Sequence, residues 1–300
     1  MPKSVQVIIN ARSGPKIRVS RHLAIARLFN ESGVNARIVV ASSGADVPRL
    51  ATEAARGHCD VLVAAGGDGT ISGVASALIG TGKPLGVIPF GTFNLFAKNR
   101  GIPLDMKSAV YTVLNGQTTT INVGEVNGHF FLSNSSMGRY SLVLRQRNKA
   151  YRRFGRSRIV AFLASGAALL RRPLLMSIRM QADNREEHIS HGEFVFVCNN
   201  RHQLELYNIR GGRCLDADAF SVLVSEPIGR LQMLKLGVEM LFRRMGQAEG
   251  YQASCARELH IESRRRRLDV VVDGEIKIMN SPLHYQLRPG ALQVIVPAEA

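Results

Sequence analysis

One stretch constrains the fold of this chain more than any other: Val61-Leu62-Val63-Ala64-Ala65-Gly66-Gly67-Asp68-Gly69-Thr70, continued by Ile71, Val74, Ala75 and Leu78. An unbroken apolar run that ends on glycines and passes into an apolar face at spacings of three and four reads as buried strand, tight turn and helix. Glycines at such a turn let the backbone approach a charged ligand. The first turn of the helix then offers unpaired N–H groups and the positive end of its dipole. Thr70 adds a hydroxyl donor. Asp68 does not suit a bare phosphate site, because a carboxylate beside phosphates repels them unless it binds a cation or takes a proton. That mismatch makes Asp68 a candidate functional residue.

The same pattern recurs on both sides of this stretch. Leu85-Gly86-Val87-Ile88 runs into Pro89-Phe90-Gly91-Thr92-Phe93-Asn94 and then Leu95-Phe96-Ala97, and a first run, Val5 to Asn10, leads into Ala11-Arg12-Ser13-Gly14. With Ala36 to Ala41, Val61 to Ala65 and Leu85 to Pro89, it makes four candidate strands. Helical patterns lie between them, Leu23 to Phe29 and Val47 to Ala55. Alternation of this kind predicts an α/β, Rossmann-like domain with a parallel sheet. In such a sheet ligands collect outside the carboxyl ends of the strands, where all three polar glycine loops fall. Together they predict a polyphosphate site built from Asn10, Gly14, Gly66, Gly67, Asp68, Gly69, Thr70, Gly91, Thr92 and Asn94. The chain has no GxxxxGK[ST], no GxGxxG after the first strand and no protein-kinase motif set.

From Thr118 the texture becomes β-rich. Thr120 to Val123 passes through Asn127-Gly128, a two-residue hairpin signal, into His129 to Leu132. Further strands are predicted at Met176 to Met180, Glu193 to Cys198, Phe220 to Ser225, Leu259 to Glu262, Leu268 to Val272 and Leu292 to Val296, the last after Pro289-Gly290. Helical segments are predicted near 155–170 and 230–245. The expected division is a nucleotide-binding α/β domain at 1–121 and a β-rich domain at 122–280, with about 281–300 free to pack back on the first.

Charge is the outlying property: 39 Lys and Arg against 23 Asp and Glu give a net +16. Such a chain is drawn to polyanions, but it has no recognisable RNA or DNA module, so nucleic acid is not the expected partner. Residues 145–158 hold seven basic side chains and no acid, ahead of the apolar run Ile159 to Leu170. Tyr151 and Phe154 lie within the basic stretch. This points to an anionic membrane surface, with each engaged cation contributing about 1 kcal/mol. The apolar run falls short of the roughly 20 residues a spanning helix needs, and the first residues show no leader pattern. Arg264 to Arg267 reads as an exposed hairpin turn. Cys59, Cys198, Cys214 and Cys255 form no CxxC pair and read as reduced cytosolic residues. A homodimer is left open.

Gly66-Gly67-Asp68-Gly69-Thr70, then Pro89-Phe90-Gly91-Thr92-Phe93-Asn94, with Asn10 and Gly14 before them and Asp273-Gly274-Glu275 and Pro289-Gly290-Ala291-Leu292 after, resembles the diacylglycerol kinase catalytic family. That family includes bacterial lipid kinases and is related to sphingosine and ceramide kinases. The resemblance implies a nucleotide-binding α/β domain and a β-sandwich second domain. It also implies ATP- and Mg²⁺-dependent phosphorylation of a lipid hydroxyl in a cleft between them. Phosphoryl transfer needs phosphate positioning, a divalent cation and an acceptor for the hydroxyl proton. By resemblance the acceptor is Glu275, in what the residues alone read as a hairpin turn, and Asp68 is its catalytic companion. A structural metal site in some bacterial members falls, imperfectly, at Asp216 and Asp218. The setting implied is cytoplasmic, at the inner face of the membrane.

Three positions depart from the family pattern: Ser72-Gly73 where Asn-Glu is common, Leu95 where Asp is frequent, and Asn122 at a frequently acidic position. Each removes a carboxylate that could hold magnesium or its water. The alternatives are therefore an NAD kinase-like enzyme, whose glycine motif is shared, and a catalytically inactive nucleotide- or lipid-binding relative.

Overall fold

The computed structural model describes residues 4–10, 19–154, 176–183, 186, 188–206, 208–209, 211–226 and 251–298. Gly14, the helical segments expected near 155–170 and 230–245, and the basic residues beyond 154 lie outside the described residues. Contacts divide the chain into two units, 1–123 with 288–300, and 124–287.

The first unit includes the strands β1 (Val5–Asn10), β2 (Ala36–Ala41), β3 (Val61–Gly66) and β4 (Leu85–Pro89). They pair in parallel in the order β2-β1-β3-β4. Both faces are covered, which is why β3 and β4 are buried along their whole length and read as continuous apolar runs. The helices are α1 (Val19–Glu31), α2 (Val47–Arg56), α3 (Asp68–Leu78), the short α4 (Leu95–Asn99) and α5 (Met106–Asn115). Val7, Ile9, Phe29, Val63, Ile88 and Val113 belong to one core cluster of this unit.

Two long strands pass from one unit into the other, β5 (Gln117–Val126) and β16 (Leu283–Val296). The strand expected at Leu292 to Val296 thus begins nine residues earlier and runs through Pro289-Gly290. Gly290 takes φ 57°, and its N–H donates to Asn122 Oδ1 at 3.0 Å, so the backbone bends within the strand rather than ending it. At its far end Val294 pairs in parallel with Leu85.

The second unit is an antiparallel sandwich. One sheet has the order β12 (Tyr251–Ala256), β11 (Phe220–Ser225), β10 (Phe194–Cys198), β7 (Asn134–Gly138), β14 (Arg267–Val272) and β15 (Glu275–Asn280). The other joins the start of β16 to β13 (Glu258–Ser263), β8 (Met176–Ala182) and β9 (His188–Gly192). Met137, Val195, Val222 and Val270 from the first sheet share a core with Ile178, Leu259, Leu283 and Tyr285 from the second. Hairpin β5–β6 (His129–Phe131) closes through Asn127-Gly128, both at positive φ, as that dipeptide predicts. Among the described residues the helices of this unit are α6 (Arg139–Phe154), α7 (Arg201–Leu206) and α8 (Gly212–Asp216).

Two expectations are corrected. Arg264 to Arg267 is exposed but makes no hairpin, since β13 and β14 on either side of it belong to different sheets. Nor are all the cysteines reduced: Cys214 on α8 and Cys255 on β12 form a disulfide, their Cα atoms 5.1 Å apart. The fold brings these two together from 41 residues apart, a pairing that no local spacing announces. Cys59 and Cys198 are free and buried.

Candidate active site

At the end of β3 the chain turns through Gly66 and Gly67 into α3, with Gly67 as N-cap and Asp68 as first helical residue. Phe90 N–H donates to the Gly66 carbonyl at 2.7 Å, which draws the loop after β4 alongside. The two glycine loops meet backbone to backbone. A Cβ on Gly91 would stand 2.8 Å from the Gly67 Cα, and one on Gly67 would stand 3.2 Å from the Gly91 Cα. Side chains are excluded from this contact for that reason. Asn94, at φ 50°, folds its side chain back so that Oδ1 accepts the Gly91 N–H at 2.8 Å.

Asp68 connects the loops. Its Oδ1 accepts the Phe96 N–H at 3.1 Å, at the start of α4. Burial pushes its carboxyl above the ordinary value of 3.8, against the opposing pull of the backbone N–H groups of Phe96, Leu95 and Asn94. A carboxylate has about four acceptor sites on its two oxygens, so one that accepts from several N–H groups can still take a cation. Thr70 is buried, and its Oγ1 accepts from Asn10 Nδ2 at 3.2 Å, tying the end of β1 to α3. A Cβ on Gly66 would meet that same Oγ1 at 2.5 Å. Gly69 and Thr92 are exposed on the two loops. The structure therefore assembles Asn10, Gly66, Gly67, Asp68, Gly69, Thr70, Gly91, Thr92 and Asn94 at the carboxyl ends of β1, β3 and β4.

The altered positions have structural occupations of their own. Gly73 lies where α3 meets α2, and a Cβ there would come within 3.1 Å of Val47 Cγ1. Leu95 contributes its backbone N–H to the surroundings of Asp68. Asn122 holds the bend at Gly290.

Glu275 belongs to the second unit. It opens β15, directly after a turn in which Asp273 and Gly274 take φ 45° and 84°. Sequence reasoning treated Asp273 only as a turn former. In the structure its carboxylate accepts the N–H groups of Leu132 at 2.8 Å, Ser133 at 2.8 Å and Asn134 at 3.1 Å, and so pins the turn to the start of β7. Behind it, Asn134 Nδ2 donates to Gln203 Oε1 at 2.9 Å in a buried polar group. The Glu275 side chain is exposed and pairs with Lys277 Nζ at 3.0 Å. Asp216 is paired with Arg201, and Asp218 sits at φ 50° in the following turn. Among the described residues no group of three or more His, Cys, Asp or Glu gathers to hold a metal.

Residues 4–126 match the family model of the diacylglycerol kinase catalytic domain. The chain is 38% identical to a diacylglycerol kinase of Bacillus subtilis over 141 residues, 46% of each protein. It is 29% identical to a diacylglycerol kinase of Mycobacterium tuberculosis over 307 residues, 98% of this chain and 95% of that one. Among solved structures, a diacylglycerol kinase from Bacillus anthracis superposes with a TM-score of 0.70 at 16% identity, covering 98% of this chain and 97% of the other. An NAD kinase from Archaeoglobus fulgidus in complex with ATP superposes with a TM-score of 0.52 at 11% identity, covering 97% and 93%. At these identities the superpositions establish the fold, an α/β unit followed by an antiparallel one.

Proposed function

Residues 4–126 of this chain belong to the diacylglycerol kinase catalytic-domain family, and on that premise we propose that the chain is an ATP-dependent lipid kinase that transfers the γ-phosphate to a lipid hydroxyl. The observation that carries this reading is Asp68: a partly buried carboxylate at the head of α3, held by backbone N–H groups of the second glycine loop. Glycine-bounded N–H groups suit phosphates, and a carboxylate among them is accommodated when it binds a cation or takes a proton, of which the cation serves phosphoryl transfer.

Mg²⁺ binds through one or two carboxylates together with substrate phosphates and keeps several waters. Asp68 offers a single carboxylate, which fits that habit, so Asp68 would hold the ion, which would supply neutralisation of the phosphate charge. Thr70 and the N–H groups at Gly67 and Gly69 orient the phosphates, and Gly91, whose own N–H is taken by Asn94 Oδ1, lets the second loop approach the first. Glu275 accepts the proton of the acceptor hydroxyl, and Asp273 holds the turn on which it stands. The exposed basic residues of α6, with Tyr151 and Phe154, hold the protein against an anionic bilayer at the inner face of the membrane. Asp216 and Asp218 remain proposed ligands of a second, structural metal, although the Arg201 pairing of Asp216 would first have to open.

The test is Mg²⁺-dependent transfer to diacylglycerol in mixed micelles, with NAD offered in parallel. Lipid phosphorylation supports the proposal. Phosphorylation of NAD instead would replace it with the NAD kinase-like reading, and neither product, with ATP still bound, with a non-catalytic relative.

A further inference from the structure

Within the second unit, α6 crosses the outer face of hairpin β14–β15 and leaves a groove of about 270 Å³ between helix and strands. Its lining includes Leu142 and Arg145 from α6, Arg265 from the bend before β14, and Arg267, Asp269 and Ile278 from the hairpin. Arg145 Nη2 is bonded to Asp269 Oδ1 at 2.6 Å, which neutralises the one acid of the lining. Arg265 and Arg267 are exposed and, among the described residues, have no carboxylate partner. Ile278 beside them is 68% exposed. The groove thus combines two uncommitted guanidinium groups with an apolar wall and an exposed apolar rim. Guanidinium forks match phosphate geometry.

The groove is separate from the carboxylate assigned the proton. Side chains alternate across a strand, and Glu275 shares a face with Lys277, to which it is ion-paired. Ile278 points to the opposite face.

We infer that this groove seats the phosphate of an anionic phospholipid headgroup on Arg265 and Arg267, with the glycerol and first acyl carbons against Leu142 and Ile278. It is a docking site for bilayer lipid, on the strand face opposite Glu275. A bilayer is favoured over a soluble phosphate because the exposed Ile278 and the exposed Phe154 at the end of α6 add apolar groups that a bilayer covers and a free phosphate does not. The inference rests on the membrane contact of the proposed function but not on catalysis, so the two can fail separately.

The experiment is co-sedimentation of the full chain with vesicles of phosphatidylcholine alone or mixed with phosphatidylglycerol, at fixed salt. Arg265→Ala/Arg267→Ala should weaken binding to anionic vesicles about 30-fold. Ile278→Ser should weaken it less. Arg37→Ala/Arg56→Ala, which removes two exposed cations from the first unit, should bind as wild type, and millimolar inorganic phosphate should leave binding unchanged. The inference is overturned if the wild type ignores anionic lipid, if Arg265→Ala/Arg267→Ala binds as well as wild type, if the Arg37/Arg56 control loses as much, or if inorganic phosphate displaces the vesicles. Phosphate transfer to a detergent-dispersed acceptor, measured on the same variants, should be unchanged. A wild type that binds anionic vesicles but transfers no phosphate would count against the kinase reading alone.

Discussion

The Asp68 carboxylate accepts the Phe96 N–H at 3.1 Å, so a residue at the head of one helix is fixed by the backbone that opens another, 28 positions further along the chain. This bond holds the two glycine loops in one arrangement. The carboxyl is raised above 3.8 because burial outweighs the N–H donors.

The raised value has a consequence for stability. Folded Asp68 holds its proton more tightly than unfolded Asp68, so the burial penalty is absent at pH values below 3.8, develops as pH rises past it, and is complete above the folded value. Asp68→Asn keeps the acceptor for Phe96 and removes the charge. It should raise the thermal midpoint at neutral pH, and the gain should shrink toward the most acid pH at which the protein remains folded. A gain independent of pH, or a loss at neutral pH, would contradict this.

Gly91 and Gly69 separate the construction of the loops from their use. Gly91→Ala places a Cβ 2.6 Å from Asn94 Oδ1 and 2.8 Å from the Gly67 Cα, and should cost about 1–3 kcal/mol of stability along with ATP affinity. A Cβ on Gly69 meets nothing within 4 Å. Gly69→Ala should therefore leave unfolding unchanged while weakening ATP binding by about tenfold or more, as read by calorimetry. Equal ATP affinity in Gly69→Ala and wild type would remove this loop from the phosphate site.

Asp273→Ala leaves three N–H groups at Leu132, Ser133 and Asn134 without their acceptor. The expected loss is about 3 kcal/mol in urea unfolding. Asp273→Asn should recover part of it. An unshifted midpoint in Asp273→Ala would mean that the turn carrying Glu275 is not held in this way.

The Cys214–Cys255 bond closes a 41-residue separation. On the chain-entropy account, its removal in Cys214→Ser/Cys255→Ser costs about 4 kcal/mol. Wild type should lose a similar amount when a reductant is added, and the double variant should not respond. Two free thiols in the untreated protein, counted by mass spectrometry after alkylation, would contradict the bond.

The parallel half of the fold was legible residue by residue. Val5–Asn10, Ala36–Ala41 and Leu85–Pro89 are strands with the bounds their apolar runs predict, and in Leu85–Pro89, buried along its whole length, no polar alternation blurs the ends. The loops of the site were legible for the same reason: glycine at a close backbone approach has no substitute. What escaped sequence reading was long-range. Asp273 finds its partners about 140 residues earlier, Asn10 finds Thr70 at a separation of 60, and Cys214 finds Cys255, with no local pattern in any case. Helix α6 escaped over its whole length, Arg139–Phe154, for a different reason. Its charged residues, Arg145, Arg147, Lys149 and Arg153 among them, drew attention to a surface rather than to a helical period.

The central claim is tested most directly by incubating the protein with Mg²⁺, γ-labelled ATP and a total bacterial lipid extract, beside Asp68→Ala and Glu275→Ala. The account predicts a labelled lipid made by the wild type and lost in both variants, with Glu275→Ala still binding ATP as wild type does. No labelled lipid from a wild-type protein that binds ATP, or undiminished labelling by both variants, would contradict it.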